Sequence, residues 1–585
     1  MAEALISPGV FLRENDLSQI TAGPITVGSA LIGPAVTGKV NIPTLVTSYS
    51  EYKAIFGTTF VSGGNTQEYL TSIAAYNYFQ QGGTSLLVTR VASGSYTAAT
   101  SSAIVNHLGS ASFELSTLSV GTVMNNNQGA TTAVNGLLPS GSANNIRWQI
   151  TQADSGSGYF TLLIRQGNDY TQGQTVLETW TNLSLDPNQN NYVAYVIGDQ
   201  TQVVAYDEQG LAYLQNVGNY PNQSRYVRVS NVFTPTPNYL NPQGRAVAAY
   251  TASIPLNGSG SANGSFGTAT GTLYGSFGQA PLNLFEAIPA VPATTPTNNI
   301  QGVLNTDYDT AINLLANKDS YAYNAIYAPG LTAQNAPDQV STLLATSENR
   351  GDNIAVVDLV SYGQASTTVS VAAQSYDNSY GATYWPWLQI RSTETGRLHF
   401  VPASTVIPGV YEYNDKVSAE WFAPAGLNRG GLPTVIQPEY RLTVNQRNSL
   451  YTAKVNPIAV FPGQGTVVYG QKTLQARASA LDRVNVRRLL IALKGYIGQI
   501  AQTLVFEQNT AVTRNKFLSQ VNPYLEYVQQ KQGLYAFRVV MDDTNNTPDV
   551  IDRNLLVGAI YLQPTRTAEF IQLDFNVLPT GVTFG

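Results

Sequence analysis

Four short patterns in the chain carry residue types that could do chemistry. Gly33-Pro34-Ala35-Val36-Thr37-Gly38-Lys39-Val40 follows an apolar run and has the glycine and lysine spacing of a phosphate-binding loop. Such a loop needs Ser or Thr after the lysine to hold Mg²⁺, and a helix N-terminus to receive the phosphate. Val40 stands where the hydroxyl should be, and Pro43 among β-branched neighbours opposes a helix, so a turn is expected. Gly463-Gln464-Gly465 leads into Thr466-Val467-Val468, a strand pattern, and reads as a tight turn rather than a dinucleotide fingerprint. Asp358 closes an apolar strand, a place where catalytic carboxylates occur. With no assignable His or Lys beside it, its expected role is to order a loop. Trp385-Pro386-Trp387 has the rings for a sugar platform, but a buried aromatic pair is the plainer expectation. The 36 acidic residues leave a glycosidase pair open by composition, yet no spacing singles one out. No catalytic, cofactor-binding or metal-binding residue is therefore assigned, no cofactor is expected, and the chain is read as not an enzyme.

Composition narrows the remaining classes. There is no cysteine in 585 residues, which removes disulfides, thiolate metal sites and thiol nucleophiles, and two histidines, His107 and His399, cannot make a three-His centre. Charged residues are 11% of the chain, well under the usual quarter, while small polar residues and 35 tyrosines abound. Tyrosine supplies large amphipathic contact area at low entropic cost, as interfaces use it. The N-terminus lacks the basic-then-apolar pattern of a signal peptide, and no 18-residue apolar run suggests a membrane span. Of the net charge of −6, residues from Arg441 onward contribute +6, with 15 Lys and Arg against 9 Asp and Glu, so the first 440 residues carry −12. That basic excess is too dilute to point to direct nucleic-acid binding.

The elements needed to position such a chain alternate in texture. An arm over residues 1–20 contains Leu5, Ile6, Val10, Phe11 and Leu12, punctuated by Pro8-Gly9. Residues 25–33 read as a buried strand, 66–80 as a helix ended by Gly82-Gly83, and 85–91 as a strand. Residues 96–310 are β-like, with alternating runs such as Tyr159–Ile164 and Tyr192–Ile197, and 257–278 read as a flexible loop. The α/β texture returns at strand 325–327, a helix around 339–347 and strand 354–360. The expected fold is therefore mixed α+β: a discontinuous α/β core with an inserted β-rich domain and extended terminal arms. Its expected segments are 1–20, 21–95, 96–310, 311–564 and 565–585.

Residues 474–506 read as the strongest helix, with Val486, Leu489, Leu493, Tyr496, Ile497, Ile500 and Leu504 in an apolar stripe roughly 100° wide. Lys472, Arg483, Arg487 and Lys494 fall beside it in a sector of roughly 60°, either a solvated face or a docking face for an acidic partner. Near the end, Phe570, Ile571, Leu573, Phe575 and Val577 lie in an alternating run. A terminal strand of this kind completes its own sheet or adds to a neighbour's edge.

Several stretches, in order, resemble the tail sheath proteins of contractile-tailed phages and related contractile injection systems. They include SPGVFLREN and TVGSALIGPAVTGKVNIPTLVTSYSEYKAIFG near the start, YLTSIAAYNYFQQGGTSLLVTRV, then TYWPWLQI and VPASTVIPGVYEYNDKVSAEWFAPAG. The densest run closes the chain: VNVRRLLIALK, LVFEQN, GLYAFRVVMDDTNNTPDVID and AIYLQPTRTAEFIQLDFNV. Residues 96–310 match no recognisable pattern. The resemblance implies a subunit that polymerises with itself as stacked hexameric rings around an inner tail tube. It also implies baseplate and tail terminator partners, a place in the virion tail after assembly in the host cytoplasm, and no membrane insertion. It places strand-exchange arms at residues 5–14 and 569–577, and a tube-facing surface in the C-terminal core, to which Lys472, Arg483, Arg487 and Lys494 are assigned. A non-contractile β-rich adhesion protein, binding a receptor or glycan, is the alternative.

Overall fold

The computed structural model describes residues 28–62, 65–92, 98–101, 104–120, 146–167, 169, 173–263, 299–300, 303–569 and 572. An eight-stranded sheet forms the core, in the order Thr44–Val46, Leu86–Val91, Ser29–Pro34, Ala325–Thr332, Ile354–Asp358, Gly381–Trp385, Asn456–Phe461, Gly465–Val468. Six strands run parallel and an antiparallel strand closes each end. Chain from before and after the insertion is thus hydrogen-bonded side by side, with Ser29 beside Ala325 and Leu31 beside Tyr327.

A parallel sheet is covered on both faces, which is why its strands read as unbroken apolar runs. Leu31, Val88, Tyr327 and Val356 point into one core, against helices Leu70–Gln80 and Ile407–Val417. Ala30, Ile32, Ile326 and Val357 point into the other, against helices Tyr308–Leu315 and Pro337–Arg350. The expected helix at 66–80 starts at Leu70, because Asn65–Glu68 pairs in a hairpin with Thr59–Ser62.

The inserted region is a second, antiparallel sheet, in the order Val176–Ser184, Tyr159–Gln166, Ile146–Asp154, Gly258–Asn263, Ala98–Ser101, Ala111–Val120, Val227–Val232. Two expectations fail here. Tyr192–Ile197 was expected to be a strand, but Val193–Ile197 is a short helix whose Val193, Ala194 and Ile197 are buried and whose last turn closes at Gly198, φ 101°. A short apolar run has no periodicity long enough to separate strand from helix. Residues 258–263, expected as loop, are a strand between two others, since ladder pairing needs backbone groups and not side chains. The rest of the expected loop lies outside the described residues. The insertion sheet buries a charge cluster in which Asp169 binds Arg165 at 2.7 and 2.8 Å and Arg147 at 3.3 Å.

The chemical patterns resolve as structure. The loop after Ser29–Pro34 turns carbonyls, not amides, inward. Arg90, wholly buried, donates from Nε to Ala35 O at 3.0 Å and from Nη1 to Gly38 O at 2.5 Å. A loop whose oxygens converge on a guanidinium does not cradle phosphate, so this is a turn, as expected. Gly463 and Gly465, with φ of 76° and 77°, make the hairpin turn between Asn456–Phe461 and Gly465–Val468. Asp358 is a loop organiser, accepting from both the amide and the hydroxyl of Ser404. Burial pushes its carboxyl up to about 7 against those hydrogen bonds. Trp385 and Trp387 are buried, the first stacked on Tyr440 and the second donating from Nε1 to Val360 O at 3.0 Å.

Candidate assembly surface

The C-terminal part packs two long helices, Val484–Gln502 and Ala511–Gln530, against an antiparallel hairpin of Leu534–Val540 and Ala559–Pro564. Leu489, Leu493, Ile500 and Leu504 of the expected stripe meet Phe517, Val521, Leu525 and Val528 of the second helix. The second helix was not legible in the sequence: it holds Pro523 and many polar residues, and tertiary packing overrides both.

The first helix is shorter than expected. Thr473 N donates to Asp482 O at 3.0 Å and Val484 N to Gln471 O at 2.8 Å, so residues 471–473 and 482–484 form a small ladder with Lys472 opposite Arg483. Backbone groups engaged in that ladder cannot also make helical bonds, and the helix begins only after Arg483.

The four basic residues do not form one solvent-facing stripe: Lys472 and Arg483 stand before the helix, and packing buries Arg487 on it. Arg487 is 4% exposed; it lies 3.9 Å from the Tyr380 ring centroid and bonds Ser379 through Nε and Nη2. Arg483 pairs with Asp482 at 2.9 Å and Glu569 at 2.7 Å. Lys472 is half-buried with its ammonium 4.5 Å from the Tyr451 ring. Only Lys494 of the four is exposed, its Nζ donating to Tyr380 Oη at 3.2 Å.

Glu569 is the residue these contacts bring forward. Its Oε1 accepts from Arg483 Nε at 2.7 Å and Gln471 Nε2 at 3.0 Å; its Oε2 accepts from Tyr451 Oη at 2.7 Å and Arg483 Nη2 at 3.1 Å. Four bonds use the whole acceptor capacity of a carboxylate. Burial would raise this carboxyl, but the bonds from Arg483, Tyr451 and Gln471 outweigh it and hold it below the ordinary range. Gln471 also donates to Thr567 Oγ1 at 2.6 Å. The resemblance placed Glu569 at the start of the C-terminal arm, just before the alternating run; nothing in spacing tied it to Tyr451, 118 positions away.

The hairpin has its own unfinished chemistry. Phe537, Val539, Ile560 and Leu562 face the helices, while Tyr535 and Tyr561 are each 62% exposed. Among the described residues no third strand joins either edge. Two strands alone are marginal, and an open edge is a template for another strand. The expected arm residues Leu5, Ile6, Val10, Phe11 and Leu12, and Phe570, Ile571, Leu573, Phe575 and Val577, lie outside the described residues.

Comparison with known proteins places these elements. Residues 301–474 match the phage tail sheath protein central domain, and residues 477–577 match the phage tail sheath C-terminal domain. A tail sheath protein of Vibrio phage KVP40 is 43% identical over 188 residues, 32% of this chain and 28% of that protein. One from Enterobacteria phage T4 is 42% identical over 185 residues, again 32% of this chain and 28% of the relative. The matched stretch thus spans less than a third of the length of either relative. The crystal structure of a sheath tail protein from Listeria innocua superposes with a TM-score of 0.51 at 9% identity, over 93% of this chain and 96% of that one, so the fold is shared.

Proposed function

We propose that this chain, which carries the central and C-terminal domains of the phage tail sheath proteins, is the polymerising subunit of a contractile sheath and has a structural rather than an enzymatic role. The observation that carries the reading is the adjacency of the two matched sheath domains, the second built around a hairpin that no third strand joins among the described residues. Subunits stack as hexameric rings around an inner tail tube, between baseplate and terminator, in a virion tail or a related injection system. Contraction drives the tube through the host envelope.

Contraction without nucleotide hydrolysis needs two packings of the same subunit and linkers that survive the change between them. The arms at residues 1–20 and 565–585 supply the linkers by adding strands to neighbouring hairpins, and residues 96–310 decorate the surface. Of the four basic residues, exposed Lys494 is the one that reaches the tube directly; Lys472, Arg483 and Arg487 shape that surface from within. The adhesin alternative gains no support from the matches.

Electron microscopy of the purified chain beside a variant lacking residues 570–585 tests the reading. Striated hollow tubes from the full chain and none from the variant are expected. Discrete glycan-binding trimers from the full chain would overturn it, and tubes from the variant would remove the C-terminal arm from the mechanism.

A further inference from the structure

The strap that joins the hairpin to the C-terminal arm is held at both ends, and the two ends are held by different parts of the molecule. At its start, Thr565 N donates to Gly533 O at 3.1 Å and Thr565 Oγ1 to Gln532 O at 2.6 Å, so this end belongs to the hairpin and the Ala511–Gln530 helix. At its far end, Glu569 is held by Tyr451 from helix Val444–Thr452, by Gln471 just past the Gly465–Val468 edge strand, and by Arg483 at the head of the Val484–Gln502 helix. Those three side chains come from the central domain and its junction. Glu569, the residue at which the C-terminal arm begins, is therefore fixed at the edge of the core sheet and not on the hairpin that precedes it. Between the two anchors Arg566 is exposed.

We propose that the Glu569 carboxylate is a latch that sets the reach of the C-terminal arm: closed, the arm starts at the core sheet; open, it starts at Thr565. The inference rests on the sheath reading for its purpose but not for its existence. Opening the latch, together with the bond from Gln471 Nε2 to Thr567 Oγ1 that the same glutamine makes, frees four residues, which at full extension add about 14 Å to the tether. A linker of two lengths is what a lattice with two subunit spacings requires, and one carboxylate saturated by four donors makes the change all-or-none rather than gradual. Because Arg483 also heads the Val484–Gln502 helix, a movement of that helix against the core sheet pulls directly on the latch.

Trypsin reads the latch in the unassembled full-length chain, because Arg566 lies inside the strap. Glu569→Gln and Arg483→Gln should each speed cleavage after Arg566 by about tenfold, the worth of a charge-assisted bond network, with the double exchange Arg483→Glu with Glu569→Arg recovering part of the protection. Cleavage after Arg553, whose side chain is 68% exposed, serves as the control for fold and should not change. Equal rates after Arg566 in wild type and Glu569→Gln overturn the latch. If the variant also forms tubes, their axial repeats should spread more widely than wild type; an unchanged repeat overturns the reach-setting role. Failure of the wild-type chain to form tubes bears on the sheath reading instead, and leaves the cleavage result standing.

Discussion

Arg90 is the residue on which the opening of the core depends. Its guanidinium donates to Ala35 O and Gly38 O in the loop and to Val120 O of the insertion at 2.7 Å, so one buried cation joins three chain segments. Replacing it with methionine keeps volume and leaves those carbonyls without their donor, at a cost on the order of 3–5 kcal/mol; urea unfolding of Arg90→Met measures it. Titration gives a second test at this scale. Burial, aided by the charge of Asp415, raises Glu412 to about 7 from its ordinary value of 4.5. The folded state therefore binds the proton more tightly than the unfolded one. The contribution to stability is complete below 4.5 and is lost as pH rises through about 7. One proton accounts for at most ~1.4 kcal/mol per pH unit in that window. Asp358 and Glu439, both raised to about 7 by burial, act in the same direction. Glu412→Gln should flatten the decline in urea midpoint over the window by one proton's share, and an undiminished slope would count against a protonated Glu412.

Elements were legible where a single periodicity governed them. The strands at residues 29–34, 86–91 and 354–358 announced themselves as apolar runs because both faces are buried, and the helix from Val484 showed its stripe because one face is. Where backbone pairing decides, as in Gly258–Asn263 or the 471–484 ladder, side-chain patterns carry no signal, and the expected helix starts ten residues before the observed one. The basic stripe divides in the same way: Lys472 and Arg483, off the helix, gather at Tyr451, while Arg487 and Lys494, on it, share Tyr380 with one buried and the other exposed. That distinction can be measured. Arg487→Glu places an acid 4% exposed site beside Tyr380 and Ser379, with loss of a cation–π contact and two hydrogen bonds, and should lower stability by about 2–4 kcal/mol. Lys494→Glu, on the exposed side of the same helix, should leave the unfolding midpoint within about 0.5 kcal/mol of wild type while weakening assembly on a tube template. Both stability values come from denaturant titration, and assembly from sedimentation with purified tube. Normal co-sedimentation of Lys494→Glu would remove that lysine from the tube contact.

At the scale of the whole molecule, the insertion interrupts a domain that is continuous in space. Val91, which ends the last core strand before it, and Val303, just after it, are buried in the same core cluster, and Ser29–Pro34 pairs with Ala325–Thr332 across the gap in sequence. The insertion has a separate core of its own around Phe113, Trp148, Phe160 and Leu183. Its attachment to the α/β core includes a bond from Gly38 N to Ser119 Oγ at 2.6 Å and the Arg90 bond to Val120 O. Two separate cores, joined by these bonds and by strand Ala212–Val217 lying against helix Tyr308–Leu315, should be separable. Replacing residues 93–302 with a short Gly-Ser linker removes the acceptor from Gly38 N and one of the two acceptors of Arg90 Nη1, which keeps Gly38 O, at a cost of about 1–3 kcal/mol that water at the newly opened surface partly recovers. The shortened chain should still unfold in one cooperative transition. Loop closure hardly opposes this, because closure entropy grows only as the logarithm of length. In the sheath reading the trimmed subunits should build tubes of unchanged axial repeat and smaller diameter, since the strands that join subunits lie outside the deleted segment. A broad, non-cooperative transition would mean that the insertion is part of the folding unit. Cooperative folding with a changed axial repeat would mean that it takes part in the contacts between rings.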